Sequence, residues 1–362
     1  MRNTTLSFLL ISIFMCSCIT RKGAFQGQAW ERHASPQAAG FNPEKLAALD
    51  QYIDSSNTTG LIAIYDGKVI YEYGDLKKVS YLASCRKSVL AMLYGKYIED
   101  GTVDLNQSIG ELGITEADGL LPIEKTAKVD HIITSRSGVF HIAANGGYDL
   151  DNFKRRGSVQ PGDYFVYSNW DFNVGGHLLE QYAGKNIYEE MEEQFAKPLG
   201  FQDWHIKNQR KSGKKKKSQY LAYHFYLSTR DMAKLGQLML NQGEWQGQQL
   251  ISQNWVRKIT STVTPQDTVL ARGGGYRRPD VPKYSYGYMW WLFDELKGQD
   301  AYEGSFSATG YGGQYLTVIP KQKLVIAHKT KLDIPTLLGW KYHETPEWVY
   351  YHIVDQIVNA RE

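Results

Sequence analysis

The stretch Ser84-Cys85-Arg86-Lys87-Ser88-Val89-Leu90-Ala91-Met92-Leu93-Tyr94-Gly95-Lys96-Tyr97-Ile98 decides how the rest of the chain is read. Val89, Leu90, Met92, Leu93, Tyr97 and Ile98 recur at helical spacing and Gly101 follows as a stop, which predicts a mostly buried helix with Ser84 in its first turn. Residues three apart share a helix face, so Lys87 can bring its ammonium to the Ser84 hydroxyl. A serine hydroxyl is a poor nucleophile until a neighbour takes its proton. A lysine can do so only where burial or nearby positive charge lowers its proton affinity. The helix N-terminus disfavours a cation, and its free N–H groups can hold an oxyanion. Serine also caps helices and lysine also decorates them, so S-x-x-K gains meaning only beside further motifs.

Two such motifs lie downstream. Tyr167-Ser168-Asn169 follows Pro161-Gly162 and precedes an amphipathic stretch over residues 172–182. A tyrosine oxygen beside the Ser84–Lys87 pair can relay a proton to a leaving group, and the Asn169 amide can donate to a bound carbonyl or accept from Lys87. The third is Ser307-Ala308-Thr309-Gly310-Tyr311-Gly312-Gly313-Gln314, dense in glycine and adjacent to a strand pattern. Glycines let a substrate approach the backbone, as an edge-strand binding site and an oxyanion hole both require; a plain turn or bulge is the alternative.

With these motifs in this order, the chain from about residue 60 to 330 resembles the serine β-lactamase and penicillin-binding-protein superfamily, and within it the class C β-lactamase-like hydrolases and esterases. The text at Ser135-Arg136-Ser137-Gly138-Val139, Pro198-Leu199-Gly200 and Ser228-Thr229-Arg230-Asp231 is similar to the same family. The resemblance implies Ser84 as acylated nucleophile, Lys87 as its base, Tyr167 as proton relay, and Asn169 as a positioning amide. It further implies an oxyanion hole from the N–H groups of Ser84 and Tyr311, with Ala308, Thr309 and Gly310 lining the substrate. Penicillin-recognising members carry K-T-G where this chain has Ala308-Thr309-Gly310. A cation that binds a substrate carboxylate is missing there, which tilts the expectation toward esters or amides, as in the esterases and aminohexanoate-oligomer hydrolases. A β-lactamase or D-Ala-D-Ala carboxypeptidase would need another cation, for which Arg136, Arg230 and Lys329 are candidates, and a silent cell-wall peptide binder is a third reading. His141, Tyr148, Trp170 and His224 are candidates for shaping the pocket.

Composition limits the alternatives. The 362 residues are 42% hydrophobic and 13% aromatic, enough for one large core, and the net charge of +3 forms no basic stripe suited to nucleic acid. The histidines show neither H-E-x-x-H nor a Cys/His cluster, and no Walker or dinucleotide glycine pattern occurs, so no metal and no cofactor are expected. The expected partners are a small ester, amide or peptide substrate and, through a lipid anchor, a membrane.

The apolar run over residues 6–15 is too short to span a bilayer, and Met15-Cys16-Ser17-Cys18 resembles a bacterial lipoprotein processing site. Residues 1–17 are therefore read as a lipoprotein signal peptide, with lipidation at Cys18 and an exported protein anchored in a membrane and facing the periplasm. If Cys18 carries lipid, no partner remains for Cys85, which is expected to be a small buried hydrophobe.

Residues 18–40 are polar and aperiodic and read as a tether, and residues 41–362 as the hydrolase domain. Strands are expected at 60–65 and 68–73 around the Asp66-Gly67 turn, and at 286–293, 315–319 and 324–330. Helices are expected at 43–55, 84–98, 128–135, 173–182, 187–195, from Thr229 to Gly243, and after Thr345-Pro346-Glu347. The basic run over residues 206–218 is expected to be a solvated loop. The fold class is α+β: an antiparallel sheet from both chain ends (residues 41–80 and 284–362), flanked by helices, with a mainly helical insertion at 81–283.

Overall fold

The computed structural model describes residues 27–145, 150–272, 280–295, 300–330 and 344–362. Its centre is a seven-stranded antiparallel sheet built from β1 (Thr58–Tyr65), β2 (Lys68–Gly74), β3 (Lys283–Tyr286), β4 (Trp291–Glu295), β5 (Phe306–Gly310), β6 (Gln314–Ile319) and β7 (Leu324–Thr330). The strand order is β2-β1-β7-β6-β5-β4-β3, so the first hairpin joins the later strands through the β1–β7 ladder, which runs from Thr58 opposite Thr330 to Tyr65 opposite Leu324. Asp66 and Gly67 both take positive φ, 47° and 80°, which gives the tight β1–β2 turn a twist matched to its strands.

Helix α1 (Pro43–Asp54) is capped by Asn42 and, with the closing α5 (Glu347–Asn359), brings the chain ends together: Asn42 N–H donates to the Ala360 carbonyl. Helix α2 (Cys85–Glu99) runs through the middle of the protein and is buried on nearly every side. Its neighbour α3 (Asn169–Ala183) receives the Tyr94 hydroxyl on the Gly175 carbonyl, while Ser88 Oγ donates to the Met289 carbonyl and the Trp255 indole to Ala91. The apolar residues of α2, among them Val89, Leu90, Met92, Leu93 and Tyr94, lie on more than one side of the helix, so only its last turns, with Lys96 and Glu99, reach water. Helix α4 (Thr229–Leu240) packs on the sheet, with Gly236 against Val325 and Leu316.

Several expectations change. The single strand predicted over 286–293 is two strands, β3 and β4, joined at Gly287–Trp290 by a turn in which Met289 has φ 62°. A Cβ on Gly287 would lie 2.5 Å from the Ile259 carbonyl oxygen, so the glycine marks a turn inside an otherwise strand-like aromatic run. The basic run is not all loop: Arg210–Ser212 pairs with Ala222–His224, and Lys211 pairs with Glu180. The expected tether is, over its described residues, laid on the body; Arg32 bridges Val69, and the Trp30 indole donates to the Arg230 carbonyl. Helix α3 starts four residues before the predicted 173, because Ser168 caps it. The expected helix over 187–195 is Ile187–Met191 followed by a π-turn, Glu192–Ala196. Residues 1–17, Cys18 and Tyr148 lie outside the described residues.

Candidate active site

Ser84 occupies the N-cap position of α2, with helical φ and ψ of −75° and −12°, and its side chain makes no capping hydrogen bond. The preceding Ala83 takes φ 49°, a left-handed conformation that a residue with a Cβ seldom adopts, which turns the chain sharply into the helix. Lys87, one turn on, is 1% exposed, and its Nζ donates to Ser84 Oγ at 3.2 Å. The same ammonium stands 3.8 Å from the centre of the Tyr167 ring and 4.4 Å from that of Phe172. Ser84, Lys87 and Tyr167, distant in sequence, therefore meet at one point.

The start of α3 is held firmly. Ser168 Oγ accepts from Asp171 N–H, Ser135 Oγ donates to the Val166 carbonyl and accepts from Ser168 N–H, and Ser137 Oγ donates to Asp171 at 2.7 Å. Burial pushes the Asp171 carboxyl up to about 8, against the lowering effect of its Ser137 and Ser168 bonds. Tyr167 is wedged between Phe172 and Trp291, with ring centres 5.0 and 5.4 Å away. Asn169 is the first residue of α3, two positions from that ring. Ser137 belongs to the Ser135-to-Val139 text, so the support for Tyr167 had a signal in the sequence; Ala83 and Phe172 had none.

The third motif is the end of β5. Ala308 and Gly310 alternate onto the face that meets the start of α2: the Cys85 thiol donates to the Ala308 carbonyl at 3.4 Å, and a Cβ on Gly310 would lie 2.9 Å from the Leu82 oxygen and 3.1 Å from the Ala83 Cβ. Glycine at 310 therefore lets the strand end close on the turn that leads into Ser84. Thr309 is half-buried, and Tyr311, 37% exposed, begins the turn to β6, where Gly312 and Gly313 take φ 78° and 93°. Cys85 is buried, and burial pushes its thiol up to about 12, as suits a packed side chain and not a nucleophile.

The candidate cations are committed elsewhere. Arg136 donates to the Gly162 carbonyl and the Thr264 hydroxyl, Arg230 makes a two-pronged pair with Asp203 at 2.6 Å, and the buried Lys329 donates to the Ser80 and Leu227 carbonyls. Burial pushes Lys329 down to about 7. His141 and Trp170 belong to a different cluster: the Trp170 indole donates to the buried Glu116 at 2.7 Å, and His141 Nε2 lies 3.1 Å from Asp118. Trp170 is fully buried. His224 Nε2 meets the Ser212 hydroxyl, and burial, with Arg86 second, pushes it down to about 3.

This arrangement, a partly buried serine hydroxyl with a buried lysine on it, an aromatic hydroxyl-bearing ring on the lysine, and a glycine-ended strand alongside, can support acyl transfer. Among the described residues, no cluster of His, Cys, Asp and Glu could hold a metal ion, and no helix is long and apolar enough to cross a membrane.

Comparison with known proteins agrees with the fold. A candidate 6-aminohexanoate-dimer hydrolase from Bacillus anthracis superposes with a TM-score of 0.65 at 18% identity, covering 92% of this chain and 88% of its own. EstCE1, a hydrolase with promiscuous acyltransferase activity, superposes at 0.59 with 15% identity over 90% and 98% of the two chains. An uncharacterized protein of Alkalihalophilus pseudofirmus is 22% identical over 266 residues, 68% of this chain and 71% of that one. These likenesses establish the shared fold. The Beta-lactamase family model matches residues 47–335, a span that takes in all three motifs and all seven strands of the sheet, and the chain belongs to that family.

Proposed function

We propose that this protein is a serine hydrolase that cleaves an uncharged ester or amide through an acyl-enzyme on Ser84. The observation that carries the reading is the 3.2 Å contact between Ser84 Oγ and the Nζ of a lysine buried beside it. That separation suits proton transfer whichever atom holds the proton. Neutral Lys87 takes the Ser84 proton as Oγ bonds to the carbonyl carbon, and the carbonyl electron pair moves onto oxygen, which the N–H groups of Ser84 and Tyr311 receive. The intermediate then re-forms its C=O bond and expels the alkoxide or amine, which gains the proton through Tyr167. Water repeats the sequence on the acyl-enzyme, releasing the acid and restoring Ser84.

Ala308 supports the substrate class. A charge-assisted hydrogen bond to a substrate carboxylate contributes about 1.5 to 3 kcal/mol, or roughly ten- to a hundredfold in specificity. No cation stands at 308, and Arg136, Arg230 and Lys329 are engaged with other groups. The β-lactamase or D-Ala-D-Ala carboxypeptidase reading is weaker for that reason. A panel of short-chain esters, simple amides, penicillins and cephalosporins tests the choice: esters or amides should show the higher kcat/KM, and Ala308→Lys should narrow the gap. β-Lactam turnover by the native protein exceeding every ester and amide would overturn the assignment. A silent peptide binder would turn over none of them.

For the address, the reading is a lipoprotein processed before Cys18, exported and membrane-anchored on the periplasmic side, supported by the Ser17-Cys18 ending of the apolar run. Cys18→Ala should block processing or release the protein from membranes. Unchanged processing and attachment would rule lipidation out.

A further inference from the structure

Arg86 lies two residues after the nucleophile, 2% exposed on the flank of α2. Its Nη2 donates to Asn173 Oδ1 at 3.0 Å, its guanidinium carbon stands 4.3 Å from the centre of the Tyr223 ring, and its Nη1 has no hydrogen-bond partner. No carboxylate pairs with it among the described residues. The groups around it are uncharged: Tyr223 is pushed up to about 12 by burial, His224 down to about 3, and Tyr188 stays protonated. Glu180, further along α3, is paired with Lys211. A guanidinium stays charged throughout the range in which proteins fold, and a buried charge without a counter-ion is costly. A structural arginine would be expected to find a carboxylate.

We propose that Arg86 is a positioning residue that acts by charge: its uncompensated field disfavours the ammonium form of the adjacent Lys87 and so keeps Lys87 available as the base for Ser84. This rests on the reading of Lys87 as that base. Opposing it, the faces of Tyr167 and Phe172 over Lys87 favour the ammonium. Among the described residues, none of the other titratable groups near Lys87 is a carboxylate charged at neutral pH. Cys85 is a neutral thiol and Asp171 is pushed up to about 8; Lys329, down to about 7, is partly charged and adds to the positive field in native protein and variants alike. Arg86 and Lys87 are consecutive residues of α2, the first set against Asn173 and the Tyr223 ring and the second against Ser84 and the Tyr167 and Phe172 rings.

The test is the pH profile of the second-order rate of Ser84 modification by a fluorophosphonate, which reports ionisations of the free enzyme. In Arg86→Met the field is removed. In Asn173→Asp it is compensated by a carboxylate at the contact Asn173 already makes, which keeps the arginine in place should the first variant fail to fold. Both should move the acid limb to higher pH by about one unit, a roughly tenfold loss of rate on that limb, with the high-pH plateau retained. A merely structural role would lower the plateau or the stability without moving the limb. An acid limb that stays within about 0.2 units of the native position in the folded variants would overturn the inference while leaving Lys87 as base; native protein with no acid limb would overturn both.

Discussion

Ser84, Ser168 and Ser228 each stand at the N-cap of a helix, and the chain uses them in two ways. At α3 and α4 the serine oxygen accepts from the N–H three residues on, Asp171 at 3.3 Å and Asp231 at 3.2 Å, and that third residue is an aspartate at the positive end of the helix. At α2 the serine makes no cap, the first turn holds no acid, and Lys87 stands where the other two helices have aspartate. S-x-x-D is here an ordinary serine-capped helix start; S-x-x-K puts an amine where the helix end disfavours a cation. The exception releases the Ser84 hydroxyl from structural duty and gives it to a buried amine. Capping is given up at α2, where the serine oxygen meets the lysine nitrogen instead.

The largest expected effect breaks the contrast at its chemical end. Lys87→Ala should slow acylation of Ser84 by on the order of a hundredfold or more, the loss expected of a positioned proton acceptor. The change also truncates a buried side chain packed on the Tyr167 and Phe172 rings, so unfolding in denaturant is measured alongside to show that the variant is folded. A stable variant that acylates at the native rate would return Lys87 to the role of decoration.

Asp171 sharpens the other side. Its folded carboxyl is raised from the usual 3.8 to about 8, chiefly by burial, so the folded state binds its proton more tightly than the unfolded chain does. The stability it contributes is full below about pH 4 and is lost as pH rises through about 8. Asp171→Asn should flatten the decline in stability across that window, measured as unfolding free energy at a series of pH values. An unchanged decline would mean that the carboxyl is already ionised in the folded protein.

The smallest effect is on capping. Ser228→Ala should cost about 1 kcal/mol through loss of the Asp231 N–H bond, whereas Ser84→Ala, with no cap to lose, should stay within about 0.5 kcal/mol of the native protein. Equal losses at the two serines would mean that the α2 start is capped after all.

The motifs were legible because their residue types are unusual for their positions: a lysine three after a helix-starting serine, and glycines at a strand end. The Asp66-Gly67 hairpin and the closing helix were legible because turn chemistry and periodicity agreed. The turn at Gly287–Trp290 was not, since Tyr288, Met289 and Trp290 are apolar residues that a strand would welcome and only Gly287 signalled the break. The contacts of His141 and Trp170 with Glu116 were not legible, because Glu116 is remote in sequence and nothing local marks a buried carboxylate. The isolation of Arg86 was equally invisible, since a missing counter-ion is a property of tertiary structure alone.

The central claim is that Ser84 is chemically active because it is structurally idle. The direct measurement is fluorophosphonate labelling of the native protein and of Ser84→Ala, with the modified residue identified by mass spectrometry and the stability of both measured alongside. The account predicts a label on Ser84 in the native protein and none in a variant that is as stable as the native. Labelling of the variant at the native rate, or a variant as destabilised as Ser228→Ala, would contradict it.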